Sequence, residues 1–529
     1  MSLIRATGTI GGLTLISRIL GMVRDMLVAR YLGAGLASDA FLIAWRLPNL
    51  FRALFAEGAF SAAFVPMFNR TMAEAEQNLP GTGKTAATIF AGQVLSVLFP
   101  FLVIFTGIMM VLAVPVVWAM TGGFPDGGPE KFALTVELTR ITFPYLALIS
   151  LVSLLGGILN SLDRFWVNAA APILLNICMI AAILFFRGDT TIETAYSQAI
   201  AVTVSGAMQL LWLMWACKRA GVVLRLGVPK LPPRVKKMLA LILPAAVGAG
   251  AIQFNLLIST SLAARFLPQG SVSYLYYADR LNQLPLGLIG IGVGTAILPA
   301  LSRQIGSGNE QAAKDTQNRA IELALFLSLP AAIALCIAAT PLIRGLLQHG
   351  EFTPAETIGS ASALAVFALG VPAYVLIKVL TPGFYAREDT KTPVRVAMFS
   401  MLFNLVGNLI LIWPMGHVGV AASTAIAAWV NVLILYWLLH RDDHLKADTR
   451  LISRGTRIIA ASALMGVALW FTAPIADGFM ARSLGERVVA LCLLCGGGAL
   501  VYAVAIFGTG AYRLSELKSL VTRRPAKTS

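Results

Sequence analysis

The sequence predicts an all-α polytopic membrane protein of about 14 transmembrane helices, built as two parallel six-helix repeats plus two C-terminal helices. Three observations carry this. First, 57% of the 529 residues are hydrophobic and 12% charged, with a mean hydropathy of +0.79; a soluble chain would carry about 25% charged residues. Second, apolar stretches recur from near residue 8 to residue 509, and no connection between them is long enough to fold as a domain. Third, the two halves resemble each other at an offset of about 225–234 residues. Soluble enzymes, disulfide scaffolds and disordered chains are excluded. Cys178, Cys217, Cys336, Cys492 and Cys495 fall in apolar runs or at their ends, so neither a disulfide framework nor a metal site is indicated. The net charge of +16 would suggest nucleic acid in a soluble protein, but the placement of the charges argues otherwise.

A span needs about 20 mostly apolar residues. The first, near 8–32, follows the single basic residue Arg5 and lacks a small-residue cleavage site, so it reads as a mature helix rather than a signal peptide. The second lies near 38–68, and the third and fourth near 86–120 and 130–160. The fifth and sixth, near 163–187 and 192–218, complete an N-lobe of residues 1–220. A basic cytoplasmic linker, 221–234, leads into spans seven and eight near 235–266 and 270–303. Spans nine to twelve, near 311–347, 354–386, 390–414 and 417–441, complete a C-lobe of residues 235–442. Spans thirteen and fourteen, near 452–473 and 485–509, occupy 443–512 outside the repeat, ahead of a basic tail at 513–529.

Orientation follows from the basic residues, since retained loops are enriched in Lys and Arg on the cytoplasmic side. With both termini cytoplasmic, 27 of the 41 basic residues fall in cytoplasmic segments. Only Lys131, Arg187, Arg344, Arg482 and Arg487 fall in the opposite loops. The remaining nine, Arg18, Arg24, Arg30, Arg46, Arg52, Arg140, Arg265, Arg280 and Lys378, lie within spans.

In the repeat, Ala44, Arg46 and Leu47 fall on Ala278, Arg280 and Leu281. Phe143-Pro144-Tyr145 and Val371-Pro372-Ala373 begin comparable positions in spans four and ten, which end in Asp163-Arg164 and Arg387-Glu388-Asp389. Six spans per half make the repeats parallel, and transporters so built hold their substrate at the repeat interface.

Spans one and two concentrate charge: Arg18, Arg24, Asp25, Arg30, Asp39, Arg46, Arg52 and Glu57. Each costs at least about 2.5 kcal/mol at a helix centre, so such residues normally face a bundle interior or a wet cavity. At about 100° per residue, Asp39, Arg46 and Glu57 share one helical face, although Pro48 can shift the phase. With Asp279 and Arg280 the set holds six arginines against four acids. The guanidinium fork suits phosphate, so an anionic, phosphorylated group is the expected occupant, with structural ion pairing as the alternative. Arg18, Arg24, Arg52, Arg280 and Arg46 are the expected substrate-binding cations. Asp25, Asp39, Glu57 and Asp279 are the expected charge-pairing or gating acids, Asp39 and Glu57 pairing with cavity arginines in the empty state. Ser17, Asn49, Ser271, Ser273 and Tyr277 are candidate sugar or cavity contacts. Tyr274, Tyr276 and Tyr277 could stack on a sugar, and equally fit a helix-interface aromatic patch.

Other signals fade. Gly81-Thr82-Gly83-Lys84-Thr85 resembles the end of a P-loop, but Asn78 stands where that motif needs glycine and no strand precedes it. His440 and His444 enclose Arg441-Asp442-Asp443, which is no zinc-protease motif, and Cys492 with Cys495 reads as packing.

Ser17-Arg18-Ile19-Leu20-Gly21 with Arg24-Asp25, Leu47-Pro48-Asn49-Leu50 with Arg52, and Phe55-Ala56-Glu57-Gly58-Ala59-Phe60-Ser61 closely resemble the MurJ (MviN) family of bacterial lipid II flippases. Tyr276-Tyr277-Ala278-Asp279-Arg280-Leu281 and Pro382-Gly383-Phe384-Tyr385 match it further, and the likeness runs along nearly the whole chain. The resemblance implies a member of the multidrug/oligosaccharidyl-lipid/polysaccharide exporter superfamily that moves undecaprenyl-diphosphate-linked peptidoglycan precursor from the cytoplasmic to the periplasmic leaflet by alternating access. It implies a cationic cavity at Arg18, Arg24, Asp39, Arg52, Glu57, Asp279 and Arg280, with Arg46 where relatives often have lysine. Spans thirteen and fourteen, with Gly496, Gly497 and Gly498, look like the family's groove for the lipid tail. Some members hold sodium among acidic and amide side chains of the C-lobe. Here spans seven, ten, eleven and twelve have no acid away from their ends and Lys378 lies in span ten, so sodium coupling is doubtful.

The reading is therefore a lipid II flippase, a transporter and not an enzyme, in the bacterial inner membrane. No cofactor is expected, with coupling by membrane potential or an ion. Lipid II, membrane lipids and the cell-wall synthesis or division machinery are the expected partners, nucleic acid is not, and a monomer is expected. The rivals are a flippase for another polyprenyl-diphosphate oligosaccharide and a drug exporter of the same superfamily. A membrane glycosyltransferase would need a carboxylate with a metal or nucleotide site, for which the short loops leave no room.

Overall fold

The computed structural model describes residues 3–54, 60–126, 128–480 and 482–512. Among them the regular structure is entirely helical, without strands. The chain divides into two compact units.

The first unit spans Met1–Ser273 with His349–Thr353. It holds α1 (Leu3–Leu32), α2 (Leu36–Leu54), α3 (Phe60–Asn78), α4 (Gly83–Val111), α5 (Ala113–Thr121), α6 (Gly128–Thr142), α7 (Pro144–Ser161), α8 (Phe165–Phe185), α9 (Thr191–Arg219) and α10 (Pro233–Phe266). The second, Tyr274–Gln348 with Pro354–Ser529, holds most of α11 (Ser271–Gly306), then α12 (Glu310–Ile337), α13 (Ala339–Leu347), α14 (Pro354–Ala368), α15 (Val371–Tyr385), α16 (Lys391–Met415), α17 (His417–Arg441), α18 (Thr449–Asp477) and α19 (Leu484–Gly508). The division between the units falls inside α11, and α10 packs on α2, α3 and α5 of the first unit. Sequence similarity defines the repeats, whereas burial of apolar surface defines the units.

Ten helices or helix pairs among the described residues are long and apolar enough to cross a membrane, and they coincide with spans three to six and nine to fourteen. The remaining spans fall on α1, α2 with α3, α10 and α11. At 1.5 Å per residue, α1, α10 and α11 with 30, 34 and 36 residues each exceed the roughly 30 Å needed to cross.

Several spans are interrupted, and at equivalent places in both halves. Span three breaks at Leu112 (φ −84°, ψ 15°) and span nine at Ala338 (φ −91°, ψ 16°), 226 residues on. Spans four and ten break just before Pro144 and Pro372, because a proline lacks the N–H needed to continue the ladder and crowds the preceding turn. The turns that end those spans also match. Asp163 (φ 60°) and Glu388 (φ 64°) take the left-handed conformation, and the next amide reaches back five residues, Arg164 to Leu159 and Asp389 to Phe384. This closes the orphan carbonyls of the helix end. The internal similarity therefore extends from residue types to backbone geometry.

In the second unit, α18 lies along α12 and α13 and is pinned to them at both ends. Glu322, buried in α12, accepts from Arg454 of α18 at 2.8 Å and lies 3.4 Å from Arg450, with Arg319 completing the cluster. At the other end Arg344 of α13 pairs with Asp477 of α18. Between these pins Gly466 approaches Ile333 and Ile337 closely enough that only a glycine fits without displacement.

Candidate functional site

Three charges of α1 and α2, Arg24, Asp25 and Asp39, sit in two buried networks in the first unit. In one, Arg24 donates to Asp25 Oδ1 through Nε at 3.0 Å and Nη2 at 2.7 Å. Its Nη1 donates to Asn176 Oδ1 of α8 at 2.9 Å, and its guanidinium carbon lies 5.2 Å from the centroid of the Trp45 ring. Asn176 Nδ2 in turn donates to the Ser17 carbonyl at 3.0 Å. A β-carbon at Gly21 would make only ordinary contact with the Asn176 amide, so this approach does not depend on a glycine there. Arg24 and Asp25 are 3% and 4% exposed, so the pair satisfies the requirement that a buried charge be matched and hydrogen-bonded.

The second network centres on Asp39 of α2, which is 1% exposed. It accepts from Lys131 Nζ of α6 at 3.0 Å, from the amides of Gly270 and Ser273 at 2.8 and 2.9 Å, and from the Ser273 hydroxyl at 2.6 Å. The Ser273 hydroxyl also meets the Ser38 hydroxyl at 2.9 Å. A carboxylate of α2 thus caps the first turn of α11, where orphan amides and the helix dipole both favour a negative charge. Lys131 lies 4.5 Å from the centroid of the Phe124 ring and 4.0 Å from Asp126.

This corrects two expectations. Lys131 is not a loop residue but is fully buried in α6, and the partner of Asp39 is that lysine rather than a cavity arginine. The sequence concealed Lys131 because it sits at the edge of a polar connection, where a lysine normally points into water. Glu57 lies outside the described residues, as do Phe55–Ala59 of its motif and the basic tail from residue 513.

The remaining N-terminal candidates separate. Arg46 of α2 donates to Thr260 Oγ1 of α10 at 2.9 Å and to the Leu256 carbonyl at 3.3 Å. Arg52 Nε donates to Asn49 Oδ1 at 2.9 Å. Arg18 is exposed and Ser17 half-buried. Ser271 is buried beside the Asp39 network. Arg30 is exposed at the end of α1, and its guanidinium and that of Arg187 both lie near the Tyr31 ring.

In the second unit, Arg280 Nε donates to the Tyr276 hydroxyl at 3.3 Å with its guanidinium carbon 5.3 Å from that ring's centroid. Asp279 Oδ2 accepts from Gln283 at 2.5 Å. Tyr277 is buried edge-on against Tyr276, and Tyr274 stands edge-on to His417.

The lesser signals resolve simply. The amides of Gly81 and Gly83 donate to the Glu76 carboxylate, so the resembling loop cradles its own side chain. Those amides hold the Glu76 carboxyl below its usual range. Lys84 donates to the Ala220 carbonyl, and His440 Nδ1 lies 3.2 Å from the Leu445 carbonyl. In α19, a β-carbon on Gly498 would meet Leu469 of α18 at 3.2 Å, whereas Gly496 and Gly497 face open space. Asn176, Lys131 and Glu322 are the residues that sequence reasoning missed. An asparagine and a glutamate inside apolar spans were the available signals for two of them.

Comparison with known proteins places this arrangement. The profile of the family described as lipid II flippase MurJ matches residues 28–489. A protein of Rhizobium meliloti (strain 1021) named probable lipid II flippase MurJ is 40% identical over 538 residues, covering 100% of this chain and 98% of its own. Among solved structures, a lipid II flippase MurJ in an inward closed conformation matches with a TM-score of 0.75 at 24% identity, covering 97% of this chain and 99% of its own. An inward-facing multidrug resistance transporter of the MATE family and MOP superfamily matches with a TM-score of 0.64 at 16% identity, covering 81% of this chain and 94% of its own.

Proposed function

The chain belongs to the MurJ family of lipid II flippases, and from that premise we propose that it moves lipid II from the cytoplasmic to the periplasmic leaflet of the bacterial inner membrane by alternating access. The observation that carries the proposal is the 40% identity with a relative named for this activity over the full length of both chains. The chemistry of the site supports it. Lipid II presents a diphosphate, and cations set in apolar helices recognise that group.

In this reading Arg18, Arg52, Arg46 and Arg280 supply cations to the diphosphate. Arg24 joins them on leaving Asp25 and Asn176. Ser17 and Asn49 contact the sugars in this reading. The apolar tail runs along α18 and α19, because each methylene left in a wet cavity would cost about 0.8 kcal/mol. Both termini are cytoplasmic, and coupling is to the membrane potential or to an ion, with Lys378 in α15 disfavouring sodium.

Depleting the protein tests the reading. Lipid II should accumulate in the cytoplasmic leaflet, as scored by its inaccessibility to an externally added enzyme that cleaves it. Accumulation of a different polyprenyl-diphosphate sugar, or of lipid II already accessible from outside, would overturn it.

A further inference from the structure

Asn176 interrupts an apolar run of α8, between Ile173-Leu174-Leu175 and Ile177-Cys178-Met179. It is 4% exposed, and both ends of its amide are used. Oδ1 accepts from Arg24 Nη1 at 2.9 Å, and Nδ2 donates to the Ser17 carbonyl at 3.0 Å. The opposite amide orientation would set donor against donor and acceptor against acceptor, so this network admits one assignment.

We propose that Asn176 is a positioning residue that parks Arg24 in the empty protein and competes for its guanidinium with the phosphate of the substrate. The inference rests on the proposed reading of Arg24 as a diphosphate ligand. A phosphate is best gripped by two parallel N–H groups of the guanidinium fork. In this structure Nε and Nη2 are turned to Asp25, and Nη1 to Asn176 with Met179 sulfur at 4.0 Å. Asp25 neutralises Arg24, so the second acceptor need carry no charge. A neutral amide holds the guanidinium in place yet yields to a phosphate, because hydrogen bonds to charged acceptors are the stronger ones. A carboxylate at the same position would hold Arg24 against the incoming anion.

Two variants isolate this role. Asn176→Ala and Asn176→Asp both lose the donor to the Ser17 carbonyl, so any cost to folding from that bond is common to them. They differ in their grip on Arg24. With purified protein in nanodiscs and lipid II as the probe, Asn176→Ala should bind several-fold more tightly than the native protein. Asn176→Asp should bind about tenfold more weakly, equivalent to about 1.4 kcal/mol. Equal shifts in one direction, or no shift in either, would overturn the parking role. The single variant Arg24→Ala separates the failures. If it abolishes binding while the two Asn176 variants agree, parking alone is wrong. If it leaves binding intact, the reading of Arg24 as a phosphate ligand is wrong and parking goes with it.

Discussion

Lys131 Nζ lies 3.0 Å from Asp39 Oδ2, and both side chains are buried. The lysine comes from α6 and the aspartate from α2, and the same carboxylate caps α11. The Asp39 carboxylate thereby ties three helices together. Removing one member of a buried pair leaves the other charge uncompensated, which is worse than removing both.

Lys131→Met should accordingly destabilise the protein by about 3–5 kcal/mol. Adding Asp39→Asn should recover part of that loss rather than deepen it. Melting temperatures of the two single variants and the double variant in detergent would show this as a coupling term, and simple additivity would refute the pairing.

The arginines test phosphate recognition. Alanine at Arg18, Arg52 or Arg280 should abolish flipping while leaving membrane insertion intact, and lysine should rescue poorly because it offers a point charge without the fork. A leaflet-accessibility assay on reconstituted protein measures this. Full activity of the double variant Arg24→Ala, Arg280→Ala would argue against a cationic diphosphate site.

The three consecutive glycines of α19 should behave differently from one another. A side chain at Gly498 would press on Leu469, so Gly498→Phe should weaken the α18–α19 contact and lower thermal stability. Gly497 faces open space, so Gly497→Phe should fold normally and impair transport of full-length lipid more than of a short-chain analogue. Equal losses for both lipids would exclude a tail groove at Gly497.

Asp443, in the turn after α17, accepts from Lys314 at 2.8 Å and lies 3.0 Å from Lys446. These lysines hold its carboxyl down at about 2, against 3.8 for a free aspartate. A carboxyl lowered on folding stabilises the protein above its unfolded value, and the effect is lost as pH falls through the folded value. The melting-temperature gap between native protein and Asp443→Asn should be constant above roughly pH 5 and close progressively between roughly pH 5 and pH 1. A gap that persists undiminished down to roughly pH 1 would assign the effect to something other than this carboxylate.

The sequence by itself determined the fold class and most of the spans. Hydropathy is a sum over residues in a window, so lipid-crossing helices declare themselves without knowledge of their neighbours. The match of Phe143-Pro144 with Val371-Pro372 was legible for the same reason, because a proline acts on its own turn. Arg18, Arg24 and Asp39 stood out because charge in an apolar window is rare. What they touch was not legible. Arg24 is 152 residues from Asn176, Asp39 is 92 from Lys131, and Asp39 is 234 from Ser273. Helical periodicity fixes only which residues share a face, and a buried charge accepts any partner of suitable charge or hydrogen-bonding capacity that packing delivers. That Asp39 took a lysine and a helix N-terminus instead of an arginine, and that Gly498 rather than Gly497 meets α18, was decided by the tertiary structure, since those contacts depend on the rotation and approach of whole helices.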